Sequence, residues 1–228
     1  ILIGVYQEVS SLSLIDRDIK ILPLCESILK ILKPWSLNLD LDAASRVNSL
    51  SKDQIDCILE LLSSTESCLG ISYTNKSQID MSEYHYERAL SYARRYNEEG
   101  KTKTTLLLKA LSRYSQLRTI EGNYEDAVTL AEEAYNCVAI AYNPVHIQVQ
   151  EAAGILIECL IFKGDLYDAE RFAQVTLDSL KDPANKVDQE GEEVAIGHYN
   201  LANVMMRQDG DLVKAEGLAR EALRIRSQ

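Results

Sequence analysis

A Gly-Lys-Thr triplet is one of the few places in this 228-residue chain where residue types suggest chemistry. Gly100-Lys101-Thr102 resembles the end of a phosphate-binding loop, which also needs a glycine five residues before Gly100. Arg95 occupies that position, and the preceding stretch is predicted to be a helix rather than a strand. We therefore interpret the triplet as the end of a helix, with lysines in solvent.

The three histidines, His85, His146 and His198, do not have the spacing of a metal site or a catalytic group. None has a second His or Cys at a ligand spacing, so each is interpreted as an ordinary surface or core side chain. Motifs of serine hydrolases, zinc proteases and EF-hands do not occur in the sequence either. We expect no catalytic residue, no metal and no cofactor, and we predict that the chain is not an enzyme.

The five cysteines are odd in number and form no CxxC or Cys/His cluster. An oxidised scaffold would pair its cysteines, and a zinc site would space them closely. We predict five reduced thiols that pack as small apolar residues, and hence a cytoplasmic protein.

The composition excludes several classes of partner. A net charge of −11 disfavours binding to nucleic acid or to anionic lipid. No apolar run approaches the roughly 18 residues of a membrane span, so no membrane insertion is expected. Only four prolines and ten glycines interrupt the chain, which favours helices. Because the sequence begins at Ile1 without Met, we expect an incomplete gene model or a fragment.

A repeated pattern of small residues organises the second half of the chain. A glycine is followed five residues later by an alanine, and small residues follow that alanine after four and seven positions. The three copies are Gly122 with Ala127, Ala131 and Ala134; Gly164 with Ala169, Ala173 and Thr176; and Gly210 with Ala215, Ala219 and Ala222. These small residues share one helix face, which allows another helix to approach closely.

This pattern predicts stacked helix pairs over 81–228 after an irregular helical segment over 1–80. A half-repeat covers 81–100, with Ser82 as its helix cap, and full pairs cover 103–140, 146–181 and 189–226. Within the first segment, helices are predicted over 16–32 and from Ser51 onward, and a polar stretch over 70–77 is predicted to be a loop.

The repeats resemble the tetratricopeptide repeat, and Asn200-Leu201-Ala202 and Asn143-Pro144-Val145-His146 are similar to the kinesin light chain type. The resemblance implies an all-α fold, a right-handed α-solenoid of helix pairs. Ile157 and Thr176 depart from it, because they stand where the family has small residues. The family's tryptophan position also lacks Trp here.

The resemblance also implies a concave groove lined by the first helix of each pair. Its peptide-binding residues would be Arg113, Gln116, Glu158, Tyr199, Asn200, Asn203 and Arg207, with Lys109, Ser112, Thr119, Glu151, Ile161, Phe162 and Met206 on the same face. Asn200 matches the family's groove asparagine, which holds a peptide backbone. Asn200 and Asn203 are both predicted to be exposed. A carboxylate clamp for chaperone tails is not expected, because Arg113 and Ile155 stand at the positions equivalent to Asn200.

The expected function is that of a protein–protein interaction scaffold that binds a peptide or partner helix in this groove. The alternative is a non-catalytic helical domain or a fragment of a larger enzyme or regulatory assembly. The final helix carries Leu212 and Leu223 on a stripe with no helix after it to cover them. We therefore expect either truncation or self-association through this end.

Overall fold

The computed structural model describes residues 22–32, 51–98, 104–208 and 211–227. All regular structure in these ranges is helical, which confirms the all-α prediction. Helix α1 comprises residues 22–32. The remaining helices are α2 (Lys52–Asn75), α3 (Ile79–Glu98), α4 (Thr105–Ile120), α5 (Tyr124–Ala141), α6 (Ile147–Lys163), α7 (Leu166–Lys181), α8 (Glu192–Arg207) and α9 (Leu212–Arg226), with a short 3₁₀ helix at Pro183–Asn185.

The chain divides into two units, Ile1–Arg113 and Tyr114–Gln228, so the boundary falls inside α4. Three sequence predictions concern residues outside the described ranges. These are the start of the first helix at Asp16, the Gly100-Lys101-Thr102 triplet, and the turn at Gly210.

In the first unit, α2 and α3 pack together over a core that also takes in α1. Ser51 caps α2 as predicted, and Gln54 completes a reciprocal capping box with it. The core residues are Ile28, Leu32, Leu59, Leu62, Tyr92 and Tyr96. Side chains from the three consecutive helices α1, α2 and α3 therefore form one buried core.

The predicted loop over 70–77 is wrong, because α2 continues to Asn75 and the turn occupies only residues 76–78. Gly70 lies within the helix, where an added Cβ would come within 2.7 Å of the Tyr86 ring. Ser82 is not a cap, since α3 begins at Ile79, and its buried hydroxyl donates to the Gly70 carbonyl at 2.9 Å. Gly70 and Ser82 are small residues at a place where α2 and α3 approach closely.

In the second unit, helices α5 to α9 match the predicted pairs to within three residues. Gly122 and Gly164 lie in the turns between paired helices and have φ of +79° and +93°, values that favour glycine. The small residues of the repeat pattern are buried, except that Ala219 is half-buried. The fully buried ones are Ala127, Ala131, Ala134, Ala169, Ala173 and Ala215. The repeat pattern therefore lies on the buried faces of these helices.

One core runs through the last two helix pairs. Ile157 of α6, Leu177 of α7, Leu201 of α8 and Ala215 of α9 belong to the same buried cluster. Thr176 fits among apolar neighbours because its hydroxyl donates to carbonyls of its own helix. Each helix thus packs on its pair partner and on the next pair, which is how stacked repeats share their stability.

The last helix is only partly covered. Ala222 and Ile225 are buried, but Leu212 and Leu223 are 58% and 67% exposed. Among the described helices, none combines the length and the apolar character needed to cross a membrane.

Candidate functional site

The candidate site is built on α6 and α8, the first helices of two successive pairs, which pack directly against each other. An added Cβ at Gly154 of α6 would lie 3.2 Å from the Asn200 Nδ2 of α8. About two turns further along, the Arg207 guanidinium lies 6.0 Å from the centroid of the Phe162 ring. Because both contacts advance toward the helix C-termini, the two helices run parallel and in register.

Helical spacing places two short rows of side chains beside each other. Gly154, Glu158 and Phe162 are each four residues apart on α6, and Asn200, Asn203 and Arg207 are three and four apart on α8. Such spacings keep residues on one helix face. Asn200 therefore lies beside Gly154 and Arg207 beside Phe162, while the positions of Glu158 and Asn203 on the same face follow from helical spacing alone.

Local signals hold both helices in place. His146 caps α6, since its Nδ1 accepts from the Gln148 N–H at 3.2 Å, and Gly164 ends the helix in the left-handed conformation. Glu192 and Glu193 in the first turn of α8 interact favourably with the helix dipole, as does Arg207 in its last turn. Side chains on this face therefore project from rigid elements rather than from loops.

The exposure of the predicted groove residues is uneven. Glu158 and Arg207 are exposed, Tyr199 is 51% exposed, and Asn203 is half-buried. Asn200 is only 7% exposed, so the prediction of an exposed Asn200 is wrong. The physical reason is the absence of a Cβ at Gly154, which lets the Asn200 side chain sink between α6 and α8.

Burial leaves Asn200 with an unusual hydrogen-bonding state. Its Nδ2 is buried and finds no hydrogen-bond partner among the described residues. A buried donor without a partner costs about 1–3 kcal/mol. The Asn200 amide is therefore a buried donor between α6 and α8 that has no acceptor in the described part of the chain.

Two predicted groove-face positions are also buried. Ser112 and Ile161 are 8% exposed. Ile161 belongs to the core that joins the last two helix pairs, so it faces inward rather than toward a ligand. The prediction of groove exposure is wrong for both residues, and for Ile161 the reason is that helix-to-helix packing takes up its side of α6.

Aromatic side chains and arginines form the exposed part of the face. The rings of Phe162 and Tyr124 stack with centroids 6.4 Å apart and 14° between their planes. Arg226 of α9 lies 5.8 Å from the centroid of the Tyr199 ring. Met206 adds a side chain that is 51% exposed. We call Tyr124, Phe162, Tyr199, Met206 and Arg207 the aromatic face.

Acidic and basic groups border the aromatic face. Lys163 Nζ lies 2.9 Å from an Asp165 carboxylate oxygen and 3.1 Å from one of Glu125. These hydrogen bonds, with Asp165 the stronger contributor, raise the pKa of Lys163 above its ordinary value. Lys163 therefore stays charged and joins the end of α6 to the starts of α5 and α7.

The remaining predicted groove residues lie on α4. Gln116 is exposed and belongs to the second unit, whereas Arg113 is exposed and belongs to the first. Sequence reasoning missed Gly154 and Arg226; an isolated glycine inside a helical pattern was the available signal for Gly154.

A buried polar cluster in the first unit was also missed. Glu66 is 1% exposed and accepts from Arg88 Nε at 2.8 Å, with His85 Nδ1 at 2.6 Å from its other oxygen. Tyr73 stacks on His85. The carboxylate has partners on both oxygens, so the cluster joins α2 to α3 as a structural unit. Among the described residues, no group of three His, Cys, Asp or Glu could hold a metal ion.

Comparison with solved structures identifies proteins that have a similar arrangement of helices. A Podosopora anserina structure of kinesin light chain nearly identical TPR-like repeats superposes with a TM-score of 0.65 at 13% identity, covering 93% of this chain and 88% of that one. This is a tetratricopeptide-like repeat fold. A point variant of the same Podosopora anserina repeats gives a TM-score of 0.59 at 14% identity, covering 82% of this chain and 92% of that one.

A third structure of the kinesin light chain type agrees. BtubC (BKLC) from P. vanneervenii has a TM-score of 0.59 at 19% identity and covers 82% of this chain and 69% of its own. No family model and no curated protein matches the sequence. At these low sequence identities, the tetratricopeptide-like chain resembles the three solved structures in fold alone.

Proposed function

We propose that this chain is a protein–protein interaction scaffold that binds a peptide or a partner helix along the face of α6 and α8. The observation that carries the proposal is the aromatic face, where large apolar side chains stay exposed on packed helices. Exposed aromatic and arginine residues are the types that most often dominate binding energy at protein interfaces.

The chemistry of the face suits a polypeptide ligand. Phe162, Tyr199 and Met206 offer apolar contact, and Glu158 and Arg207 offer hydrogen bonds and charges of both signs. The buried Asn200 amide supplies a donor for a backbone carbonyl. Because the face projects from helices that are already packed, little conformational freedom is lost on binding.

A displayed peptide library selected on the 228-residue chain tests the proposal. The selected peptides are then titrated against Tyr199→Ala and against Tyr167→Ala. Tyr167 is a matched control because it is 77% exposed and lies on α7, outside the aromatic face. We expect Tyr199→Ala to weaken binding about tenfold or more and Tyr167→Ala to leave it unchanged. The reverse pattern would move the binding site away from α6 and α8.

Gly154→Ala provides a second variant that acts through Asn200. The added methyl group would lie 3.2 Å from Asn200 Nδ2 and so push the amide outward or to one side. Alanine also favours the helix, so the fold should tolerate the change. We expect weaker peptide binding with an unchanged melting temperature. Equal affinity would mean that the Asn200 amide takes no part in recognition.

The proposal includes a cytoplasmic location, which is supported by cysteines that are free thiols in the described part of the chain. The exposed Leu212 and Leu223 of α9 support a further interaction, self-association through this helix. Leu212 and Leu223 are not part of the aromatic face, so their substitution tests self-association separately from ligand binding.

A further inference from the structure

The same strip of four residue types occurs on α7 and on α9. A leucine is followed by a glutamate after four positions, an alanine after three more and a second leucine after a further four. The strips are Leu166, Glu170, Ala173 and Leu177 on α7, and Leu212, Glu216, Ala219 and Leu223 on α9. Because these spacings keep residues on one helix face, each strip can be covered by a neighbouring helix.

On α7 this strip is covered by α8, which runs antiparallel to α7. An added Cβ at Gly197 of α8 would lie 3.2 Å from Leu177 Cδ1. At the other end of the strip, Gln208, which follows α8, donates from Nε2 to the Leu166 carbonyl at 2.8 Å. Leu177 is accordingly only 1% exposed. The chain itself therefore shows that this pattern of residues accepts an antiparallel helix.

On α9 the equivalent strip is open to solvent. Leu212 and Leu223 are exposed, and Ala219 is half-buried although Ala173 at the same place on α7 is fully buried. The side chains of Glu216 and Arg220 are also exposed and form an ion pair of 2.6 Å within α9. The open strip thus has an apolar residue at each end and opposite charges near its middle.

The strip on α9 is complementary to itself when it is turned end for end. Leu212 and Leu223 lie equally far from the point between residues 217 and 218, so an antiparallel copy places Leu212 against the second copy's Leu223. Glu216 then lies beside the second copy's Arg220, and twofold symmetry supplies the same pair again. Apolar groups meet apolar groups and opposite charges meet, which is the complementarity that favours a specific interface.

We propose that α9 binds the α9 of a second copy of this chain as an antiparallel helix pair, with a twofold axis between residues 217 and 218. The inference rests on the proposed self-association through α9 and adds its orientation and register. One helix pair buries less surface than the roughly 1,600 Å² of a standard interface. The dimer is therefore weak, and its population depends on protein concentration.

Exchange of the two charges tests the register. Glu216→Arg and Arg220→Glu each place like charges against each other in their own homodimer, and each should weaken dimerisation about fivefold or more. In an equimolar mixture of the two variants, every arginine of one chain faces a glutamate of the other. Sedimentation equilibrium of the full chain at fixed salt should therefore show dimerisation of the mixture restored to roughly the wild-type level.

Glu132→Arg on α5 is the matched control for the change in net charge. Glu132 is exposed, and its substitution alters the net charge by the same amount as Glu216→Arg does. Because it lies outside the strip, Glu132→Arg should not weaken dimerisation. Circular dichroism should show the same helical content for all of these variants, since the substituted side chains are exposed.

Two results would contradict the inference in different ways. A wild-type chain that stays monomeric at every concentration would overturn self-association through α9 together with its geometry. A wild-type dimer that the single variants do not weaken, or that the mixture does not restore, would overturn the antiparallel register and leave self-association standing. Peptide binding along α6 and α8 is tested separately, by Tyr199→Ala.

Discussion

His198 shows how a single buried group can make stability depend on pH. It is 7% exposed, and its Nδ1 finds no hydrogen-bond partner among the described residues. Burial lowers the pKa of His198, and the positive charge of Lys181 lowers it further, against a smaller opposing effect of Glu221. The imidazole is therefore protonated more readily in the unfolded chain than in the folded one.

The sign of this effect yields a prediction. As pH falls below about 6.5, the unfolded chain gains a proton at His198 before the folded chain does, so the free energy of unfolding decreases. Urea unfolding at about pH 7 and pH 5 should show a smaller loss of stability for His198→Gln than for wild type. The two proteins share every other titratable group. Parallel losses would show that His198 titrates equally in both states.

The polar cluster of Glu66, His85 and Arg88 is the other residue-scale feature with a large energetic effect. All three side chains join α2 to α3, and the carboxylate is almost fully enclosed. Isolating such a charge costs far more than the intact cluster contributes, because the desolvation penalty remains when a partner is removed. The intact cluster is therefore weak evidence for stability, although breaking it would be costly.

At the scale of elements, close helix approach depends on glycine in α2. Gly70→Ala would place a methyl carbon 2.7 Å from a carbon of the Tyr86 ring. The Tyr86 side chain is itself buried, so it has little room to move away. We expect a destabilisation of about 1–3 kcal/mol from overpacking, measured by chemical unfolding. Gly217→Ala on α9 is the matched control, since nothing lies within 4 Å of its added Cβ.

For Gly217→Ala we expect no loss, and a gain of up to about 1 kcal/mol from helix propensity. A Gly70→Ala protein as stable as this control would show that α2 and α3 can separate slightly at no cost. The pair of variants thus isolates the steric effect from the general preference of helices for alanine.

The repeat register allows a second test at the scale of elements. Ala169 is fully buried in the core that links α6, α7, α8 and α9. Ala169→Leu should lower the free energy of unfolding by about 1–3 kcal/mol, because the added carbons have no space between the helices. Ala139→Leu on α5 is the control, since Ala139 is exposed. Equal thermal midpoints for the two variants would contradict the register.

At the scale of the whole molecule, net charge and apolar surface act in opposition. A net charge of −11 makes copies repel one another, whereas the exposed Leu212 and Leu223 of α9 favour association. Salt screens charge over a Debye length of about 10 Å at 0.1 M and has less effect on apolar contact.

Self-association through α9 should therefore strengthen with salt. Light scattering should report a higher mean mass at about 0.5 M NaCl than at low salt. Leu223→Gln should reduce the increase, while Ile140→Gln, which removes an 89% exposed side chain from α5, should not. Neither substitution alters the net charge. A mean mass that is independent of both salt and Leu223 would exclude this surface as an interface.

Much of the fold could be predicted from the sequence because its signals are local. The glycines at 122 and 164 mark turns through their own backbone angles, and the spacing of Ala127, Ala131 and Ala134 defines a face within one helix. These features depend on residues fewer than about ten apart, so helix bounds in the second unit and the all-α class followed from reading the chain alone.

Tertiary structure decided the features that depend on a neighbouring helix. The sequence predicts Gly70 in a loop and Ser82 at the start of a helix, yet both lie inside helices, where Gly70 faces the Tyr86 ring and Ser82 donates to the Gly70 carbonyl. Asn200 has the pattern of an exposed groove residue, but it is buried because Gly154 lacks a Cβ. In each case the deciding atom belongs to another helix, and the periodicity of a single helix carries no information about which residue will face it.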